Sequence, residues 1–146
     1  MRAIFDRHGK ITVELPFEHI TARAIIVRRE DGCLLGMKHR ADGRYAPPGG
    51  HMENGESPDE TVLRELDEEG LELVAPDPRW REWLAVDAFM PTAALNIWFV
   101  FLVDDVTVRP NSEGLSTRWF DPAEDVWYPE MREKIRLALQ RYLQNV

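Results

Sequence analysis

The residues best suited to chemistry are three glutamates in the segment RELDEEG, residues 64 to 70. A helix places Glu65, Glu68 and Glu69 on one face, within an arc of about 100°. Carboxylates near the C-terminal end of a helix are disfavoured by its dipole, and like charges one turn apart repel each other. A divalent cation removes this repulsion, because hard cations prefer several carboxylate oxygens. A solvated acidic helix face is the alternative interpretation.

The residues around these glutamates predict one helix with defined ends. Ser57 is suited to the N-cap, Pro58 to the first helical position, and Glu60 to closing a capping box. Gly70 ends the helix, and we expect Arg64 to steady one carboxylate without neutralising the whole group. An apolar arc beside the acidic one is expected to pack on a sheet and hold the carboxylates at the edge of a cleft; it consists of Val62, Leu63 and Leu66.

The glutamates also lie at fixed distances from residues upstream. The stretch GHMENGESPDETVLRELDEEG, residues 50 to 70, has the form Gly, five residues, Glu, seven residues, Arg-Glu-Leu-x-Glu-Glu. This form resembles the Nudix box of the Nudix hydrolase family; the matching positions are Gly50, Glu56, Arg64, Glu65, Leu66, Glu68 and Glu69. One position departs from the family pattern, because Gly70 follows Glu69 directly where the pattern has one residue between them. We therefore expect the helix to end early and Glu69 to be placed less firmly than the other two glutamates.

The resemblance implies a fold, a reaction and a metal. The fold is of the α+β class, a Nudix-type α/β/α sandwich with a mixed β-sheet between helices. The reaction is pyrophosphohydrolysis of a nucleoside triphosphate or a nucleoside diphosphate derivative, dependent on Mg²⁺ or, in its place, Mn²⁺. The resemblance assigns the metal to the Gly49 carbonyl and to the carboxylates of Glu65, Glu68, Glu69 and Glu113, the last of which is otherwise a solvated loop residue. The resemblance also implies that Glu68 or Glu65 takes the proton of the attacking water, and that Arg64 orients the site without reacting itself.

The substrate phosphates require local positive charge in an acidic chain. Residues 23 to 44 contain six basic and three acidic residues, and the basic residues near the glycine loop are the best placed to meet phosphates. Aromatic residues near the box and on the later apolar strand are candidates for stacking on a base, with core packing as the alternative. The predicted substrate-binding residues are Lys38, Arg40, Arg44, Tyr45 and Trp98.

Composition excludes several other partners. The chain has 146 residues and a formal net charge of −8, which argues against a nucleic acid polymer or an anionic membrane, because both bind basic surfaces. Its apolar runs are far shorter than the roughly 20 residues that span a bilayer. A single cysteine, Cys33, agrees with a reducing compartment, so we expect one cytoplasmic domain over residues 1–146. A homodimer is left open, with an interface at Trp80, Trp83 and Trp127.

The remaining patterns predict strands and one further helix. Strands are expected at residues 20–29, 33–40, 79–89, 94–105 and 115–120, and an amphipathic helix at 129–144.

Two other functions fit the same scaffold. One is a nucleotide-binding or regulatory module without turnover, favoured only by the early Gly70. The other is isoprenoid diphosphate isomerisation, for which Cys33 is not placed to act as the acid.

Overall fold

The computed structural model describes residues 2–5, 11–14, 19–38, 43–78, 83–89, 93–110 and 116–145. A first antiparallel pair joins β1 (Arg2–Phe5) and β2 (Ile11–Glu14). The next strands are β3 (His19–Arg28), β4 (Leu34–Lys38) and β5 (Gly49–His51). The remaining elements are α1 (Pro58–Glu68), β6 (Leu71–Val74), β7 (Trp83–Phe89), β8 (Ala94–Val103), β9 (Asp105–Val108), β10 (Ser116–Phe120) and, after a 3-10 turn at Pro129–Met131, α2 (Arg132–Asn145).

The central sheet is mixed. Its strand order is β10-β4-β3-β8-β7, and β5 pairs with the first half of β3 on the same edge as β4. The β3–β8 pair is parallel and runs the full length of both strands, whereas the other pairs are antiparallel. Strands β6 and β9 form a separate antiparallel pair. The mixed sheet confirms the predicted fold class.

Side chains that alternate along β3 separate the core into two layers. Ala24 and Ile26 pack in one cluster with Val62 and Leu66 of α1. Ile25 and Val27 face the opposite side, in a second cluster that includes Ile135 and Ala138 of α2. The sheet therefore lies between the two helices, in agreement with the predicted α/β/α sandwich.

Local sequence signals place α1 as expected. The Ser57 side chain accepts a hydrogen bond from the Glu60 backbone at 3.2 Å, and the Glu60 carboxylate accepts one from the Ser57 backbone at 3.2 Å. This is the predicted capping box. The expectation for Leu63 is wrong, since its side chain is 38% exposed while Val62 and Leu66 are buried.

The end of α1 is better defined than the early glycine suggests. Glu69 is the C-cap residue, and its backbone donates to the Glu65 carbonyl at 3.0 Å. Gly70 has a φ of 78°, and a Cβ there would lie 2.4 Å from the carbonyl oxygen of Arg109. Because Glu69 is only 3% exposed, the expectation that it is placed less firmly than the other two glutamates is wrong. Gly70 turns the chain into β6 without displacing the last glutamate.

Several strands were not predicted. Sequence patterns assigned residues 49–51 to a loop and contained no recognised signal for β1, β2, β6 or β9. The predicted strand 79–89 appears as β7, from Trp83, because residues 79–82 lie outside the described ranges. Among the described helices, neither is long and apolar enough to cross a membrane.

Candidate active site

The guanidinium of Arg64 lies at the centre of the acidic cluster. Its Nε and Nη2 donate to the two carboxylate oxygens of Glu56 at 2.7 and 3.0 Å, and Nη2 also donates to the His51 carbonyl at 2.9 Å. This bidentate pair with Glu56, together with the hydrogen bond to His51, connects α1 to the turn before it and to β5. Glu56 also accepts from the Glu53 backbone at 2.8 Å and from the Thr61 hydroxyl at 3.1 Å. Glu56 therefore acts as a structural partner of the loop.

The remaining guanidinium nitrogen faces the predicted metal ligands. Nη1 of Arg64 lies 3.1 Å from Glu65 Oε1 and 3.2 Å from both oxygens of Glu68. It also lies 3.7 Å from Glu53 Oε1. The prediction that Arg64 steadies a single carboxylate is wrong, since it contacts four. Charge repulsion along α1 is thus offset partly by a cation from the same helix.

Two glycines bring β5 close to its neighbours. A Cβ at Gly50 would lie 2.4 Å from the Glu65 carboxyl carbon, and a Cβ at Gly49 would lie 2.4 Å from the Ala22 carbonyl oxygen. The carboxylate of Glu65 therefore lies directly against the backbone of the glycine pair, and its side chain is only 16% exposed. Only glycine at position 50 leaves this space.

Arg23 on β3 was not among the residues predicted to bind substrate. Its Nη1 donates to the Pro47 carbonyl at 3.3 Å. Burial lowers the pKa of Arg23 below its ordinary value, against the opposing effect of the Glu69 and Glu65 carboxylates. Even so, an arginine stays charged at neutral pH. A desolvated cation thus lies near two of the three box glutamates.

A cavity of about 690 Å³ lies on the α2 side of the sheet, beside the glycine pair. This volume is within the range of small-molecule binding sites. Its walls combine polar groups from four strands with apolar residues from the segment before α2. The described lining residues are His19, Thr21, Arg23, Ala46, Gly49, His51, Asp87, Ala88, Ala94, Asn96, Trp98, Tyr128, Glu130 and Met131.

Similarity to known proteins decides the family. A sequence model of the NUDIX domain matches residues 18–142. The chain belongs to the NUDIX family. The resemblance seen in the box is thereby confirmed, and with it the prediction of an enzyme that hydrolyses phosphorus-containing acid anhydrides.

Solved structures share the fold of this Nudix protein. An ADP-ribose pyrophosphatase from Streptococcus suis is 19% identical, with a TM-score of 0.63, over 84% of this chain and 90% of that one. A NUDIX hydrolase from Nitrosomonas europaea is 20% identical, with a TM-score of 0.66, over 94% and 77% of the two chains. A MutT structure from a study of Aliivibrio salmonicida and Vibrio cholerae is 21% identical, with a TM-score of 0.61, over 84% and 98%. At these identities the likeness establishes the fold.

The box of this Nudix protein fits a divalent cation in its donor chemistry. Glu65 and Glu68 approach one guanidinium nitrogen, so two carboxylates already share a cationic neighbour, and carboxylate oxygens are what Mg²⁺ prefers. In the described part of the chain, however, no three His, Cys, Asp or Glu side chains converge as a group able to hold a metal ion. The metal assignment to Gly49, Glu65, Glu68 and Glu69 therefore stays a prediction.

The predicted substrate residues are dispersed. Trp98 lines the cavity, but it is 2% exposed and therefore offers little surface for stacking on a base. Lys38 and Arg44 are not among the described lining residues; Arg44 donates to the Trp127 carbonyl at 3.4 Å. Tyr45 packs edge-on against Phe120, with ring centroids 4.6 Å apart. Arg40 and Glu113 lie outside the described residues.

The predicted dimer interface loses one of its three tryptophans. Trp127 is 3% exposed and packs in the core cluster beneath α2, so it is not available to a partner subunit. Trp80 lies outside the described residues, as does the side chain of Trp83. The homodimer stays a prediction.

The Arg64–Glu56 pair gives this Nudix protein a distinct acid response. Hydrogen bonds from Arg64 lower the pKa of Glu56 from 4.5 to about 2. A carboxylate with a depressed pKa stabilises the fold fully above pH 4.5 and loses this contribution as the pH falls toward 2. Replacing Arg64 by Met removes the contribution. We therefore expect the difference in unfolding free energy between wild type and Arg64→Met to shrink as the pH is lowered from 6 to about 3.

Urea unfolding at several pH values measures this difference. Arg109→Met is the matched control, because Arg109 pairs with Asp67 at the surface, where both side chains are at least half exposed, and such pairs contribute little. A difference between wild type and Arg64→Met that stays constant from pH 6 to 3 would contradict the assigned role of the pair.

Proposed function

We propose that this protein is a Mg²⁺-dependent pyrophosphohydrolase that cleaves a diphosphate linkage in a nucleoside triphosphate or a nucleoside diphosphate derivative. The observation that carries the proposal is the Glu65 carboxylate held against Gly50, whose neighbour Gly49 lines the cavity together with Arg23. One structure with this fold is an ADP-ribose pyrophosphatase, which supports a nucleoside diphosphate derivative as one substrate class.

The box residues have separate roles in this proposal. Glu65, Glu68, Glu69 and the Gly49 carbonyl would hold Mg²⁺, with Glu113 as the further predicted ligand. When bound, the metal screens phosphate charge and lowers the pKa of a coordinated water. Because Nε and Nη2 of the planar guanidinium are held on Glu56, Nη1 stays in place, and the Glu65 and Glu68 carboxylates that contact it would turn from it toward the metal. Arg64 then orients the helix without competing for the metal.

Proton transfer and phosphate binding fall to other side chains. The Glu68 side chain is 51% exposed, so it is accessible to a water and suited to accept its proton; Glu65 is the other candidate base. Arg23 lines the cavity and lies near the Glu69 and Glu65 carboxylates, and we assign it to a substrate phosphate, since a guanidinium presents two donors to phosphate oxygens. Lys38, Arg40 and Arg44 are further candidates for the outer phosphates.

The test is hydrolysis of a panel of nucleoside triphosphates and nucleoside diphosphate sugars by the purified protein with Mg²⁺. Chromatography of the products is expected to show nucleoside monophosphate with pyrophosphate, or two phosphate-bearing products. Removal of the metal by EDTA should abolish turnover, and added Mg²⁺ should restore it. Turnover that is unchanged in EDTA would contradict the metal assignment.

A binding module without turnover is the second candidate. The contacts of Arg64 with four carboxylates favour it, because they offset the acidic charge without a metal. Calorimetric binding of a panel nucleotide, with no product formed over the same panel, would establish this function in place of hydrolysis.

A further inference from the structure

A hydrogen-bonded polar network lies in strands that are otherwise apolar. Asp87 Oδ1 accepts from Trp98 Nε1 at 2.9 Å and from Asn96 Nδ2 at 3.3 Å. Asp87 Oδ2 pairs with Lys134 Nζ at 2.9 Å. The Thr21 hydroxyl donates to Asn96 Oδ1 at 2.5 Å. Four separate elements thus contribute to one network, with the Asp87 carboxylate as its main acceptor.

The sheet aligns this network with the Nudix box. His51 on β5 lies opposite Thr21 on β3, Thr21 opposite Asn96 on β8, and Asn96 opposite Asp87 on β7. Since neighbouring strands are about 4.8 Å apart, three spacings place Asp87 about 14 Å from β5. All four residues line the same cavity. A nucleotide with its phosphates at the glycine pair therefore has its base within reach of Asp87.

The hydrogen bonds already made leave a defined set of groups for a ligand. The two oxygens of a carboxylate accept about four hydrogen bonds, and three of those on Asp87 are described. Asn96 Nδ2 has a second N–H, and the Thr21 oxygen keeps its lone pairs. The orientation of the Asn96 amide is fixed, because Asp87 can only accept and the Thr21 hydroxyl donates to the other end. The network therefore offers mainly acceptors.

The Asp87 carboxylate is kept ionised at a position that a ligand in the cavity can contact. Desolvation acts to raise the pKa of Asp87, but the hydrogen bonds from Trp98 and Lys134 outweigh it and lower the pKa. Lys134 is 9% exposed and supports Asp87 from α2, outside the cavity lining. The Asp87 side chain is 29% exposed. A purely structural ion pair between helix and sheet has no need of an exposed acceptor beside a cavity.

We propose that Asp87, oriented by Trp98 and Asn96, accepts a hydrogen bond from an exocyclic amino group and so selects nucleotides with amino-bearing bases. The inference rests on the proposed hydrolysis and names the substrate class for the same site. An oxo group at the same ring position places a second acceptor against the carboxylate. Nucleotides in which oxygen replaces the amino group are therefore rejected, because the two acceptors repel each other and the oxo group is left without a donor.

The experiment compares kcat/KM for two pairs, ATP with ITP and CTP with UTP, each differing by an amino group against an oxo group. If the nucleoside diphosphate sugars of the panel are hydrolysed faster than the triphosphates, the comparison uses pairs of diphosphate sugars whose bases differ in the same way. The expected preference for the amino member is about tenfold to a hundredfold, as for a hydrogen bond to a charged group. Asp87→Asn, which can donate as well as accept, should reduce that preference to about threefold or less.

Two further variants separate selection from folding. In the single variant Asp87→Asn, the buried Lys134 loses its carboxylate partner. The double variant Asp87→Asn with Lys134→Gln removes that unpaired charge, and it should lose the amino preference to the same extent as Asp87→Asn alone. Lys134→Met keeps the carboxylate and should retain the preference, even where its stability falls. The ratio is the decisive measure, since partial unfolding lowers both values of a pair by the same factor.

The two proposals fail in different ways. Hydrolysis with no amino preference, or with a preference that survives Asp87→Asn, would overturn the role of Asp87 and leave the proposed hydrolysis in place. An absence of hydrolysis over the whole panel would overturn both.

Discussion

Replacing Glu68 by glutamine is expected to lower kcat/KM for the best substrate of the panel by at least about a hundredfold. Glutamine has the shape of glutamate but neither its charge nor its capacity to accept a proton from water. The side chain of Glu68 is 51% exposed, and among its described contacts the carboxylate pairs only with Nη1 of Arg64. The fold is therefore expected to be retained, and the loss should be confined to activity.

The control for this substitution is Glu72→Gln. Glu72 is an exposed residue of β6, four positions after Glu68, and it changes the net charge by the same amount. Its rate should stay within about twofold of wild type, because exposed charges outside the site have small effects. If kcat/KM is unchanged in Glu68→Gln, Glu68 is not the base and the role passes to Glu65. Glu65→Gln would then be expected to cause the hundredfold loss.

The parts of the site that could be predicted from sequence are those that depend on neighbours along the chain. The capping box of Ser57 and Glu60 and the spacing of Glu65 and Glu68 are properties of one helix, and α1 begins and ends close to the predicted positions. Burial of Glu69 was not predicted, because its neighbours are distant along the chain: its carboxylate lies near Arg23 of β3, and Gly70, which follows it, packs against Arg109, about forty residues away. A loosely placed residue at a helix end is a correct general expectation, which tertiary packing overrode at Glu69.

The cavity could not be derived in the same way. Thr21 and Asn96 are separated by 75 positions and meet only because β3 and β8 pair in parallel. Short strands such as β5 carry little signal of their own, since their stability comes from a distant partner. One clue was present in the sequence: Asn96 and Asp87 interrupt apolar runs, and polar residues inside strands are costly unless they are paired or functional. Lys38 and Arg44 were chosen for their charge and for their closeness along the chain to the glycine loop, neither of which determines where a side chain points.

Replacing Gly50 by alanine is expected to lower kcat/KM by about a hundredfold while the unfolding free energy changes little. The added Cβ would lie 2.4 Å from the Glu65 carboxyl carbon and 2.4 Å from its Oε1, so the carboxylate must move. Since the displaced group is the end of a flexible side chain, the fold can absorb the change. A displacement of about 1 Å at a reacting group is enough for a loss of this size.

The effect expected at Gly50 is steric and does not come from backbone strain. Gly50 is not among the described glycines with positive φ, whereas Gly55 has a φ of 83° with no atom within 4 Å of an added Cβ. Gly55→Ala is therefore the matched control: it should lower the unfolding free energy by about 1 kcal/mol and leave kcat/KM near the wild-type value. The two alanines are thus expected to give opposite results in the two measurements. If Gly50→Ala retains full activity, the position of the Glu65 carboxylate against β5 is not what the reaction requires, and the catalytic role assigned to that contact would have to be abandoned.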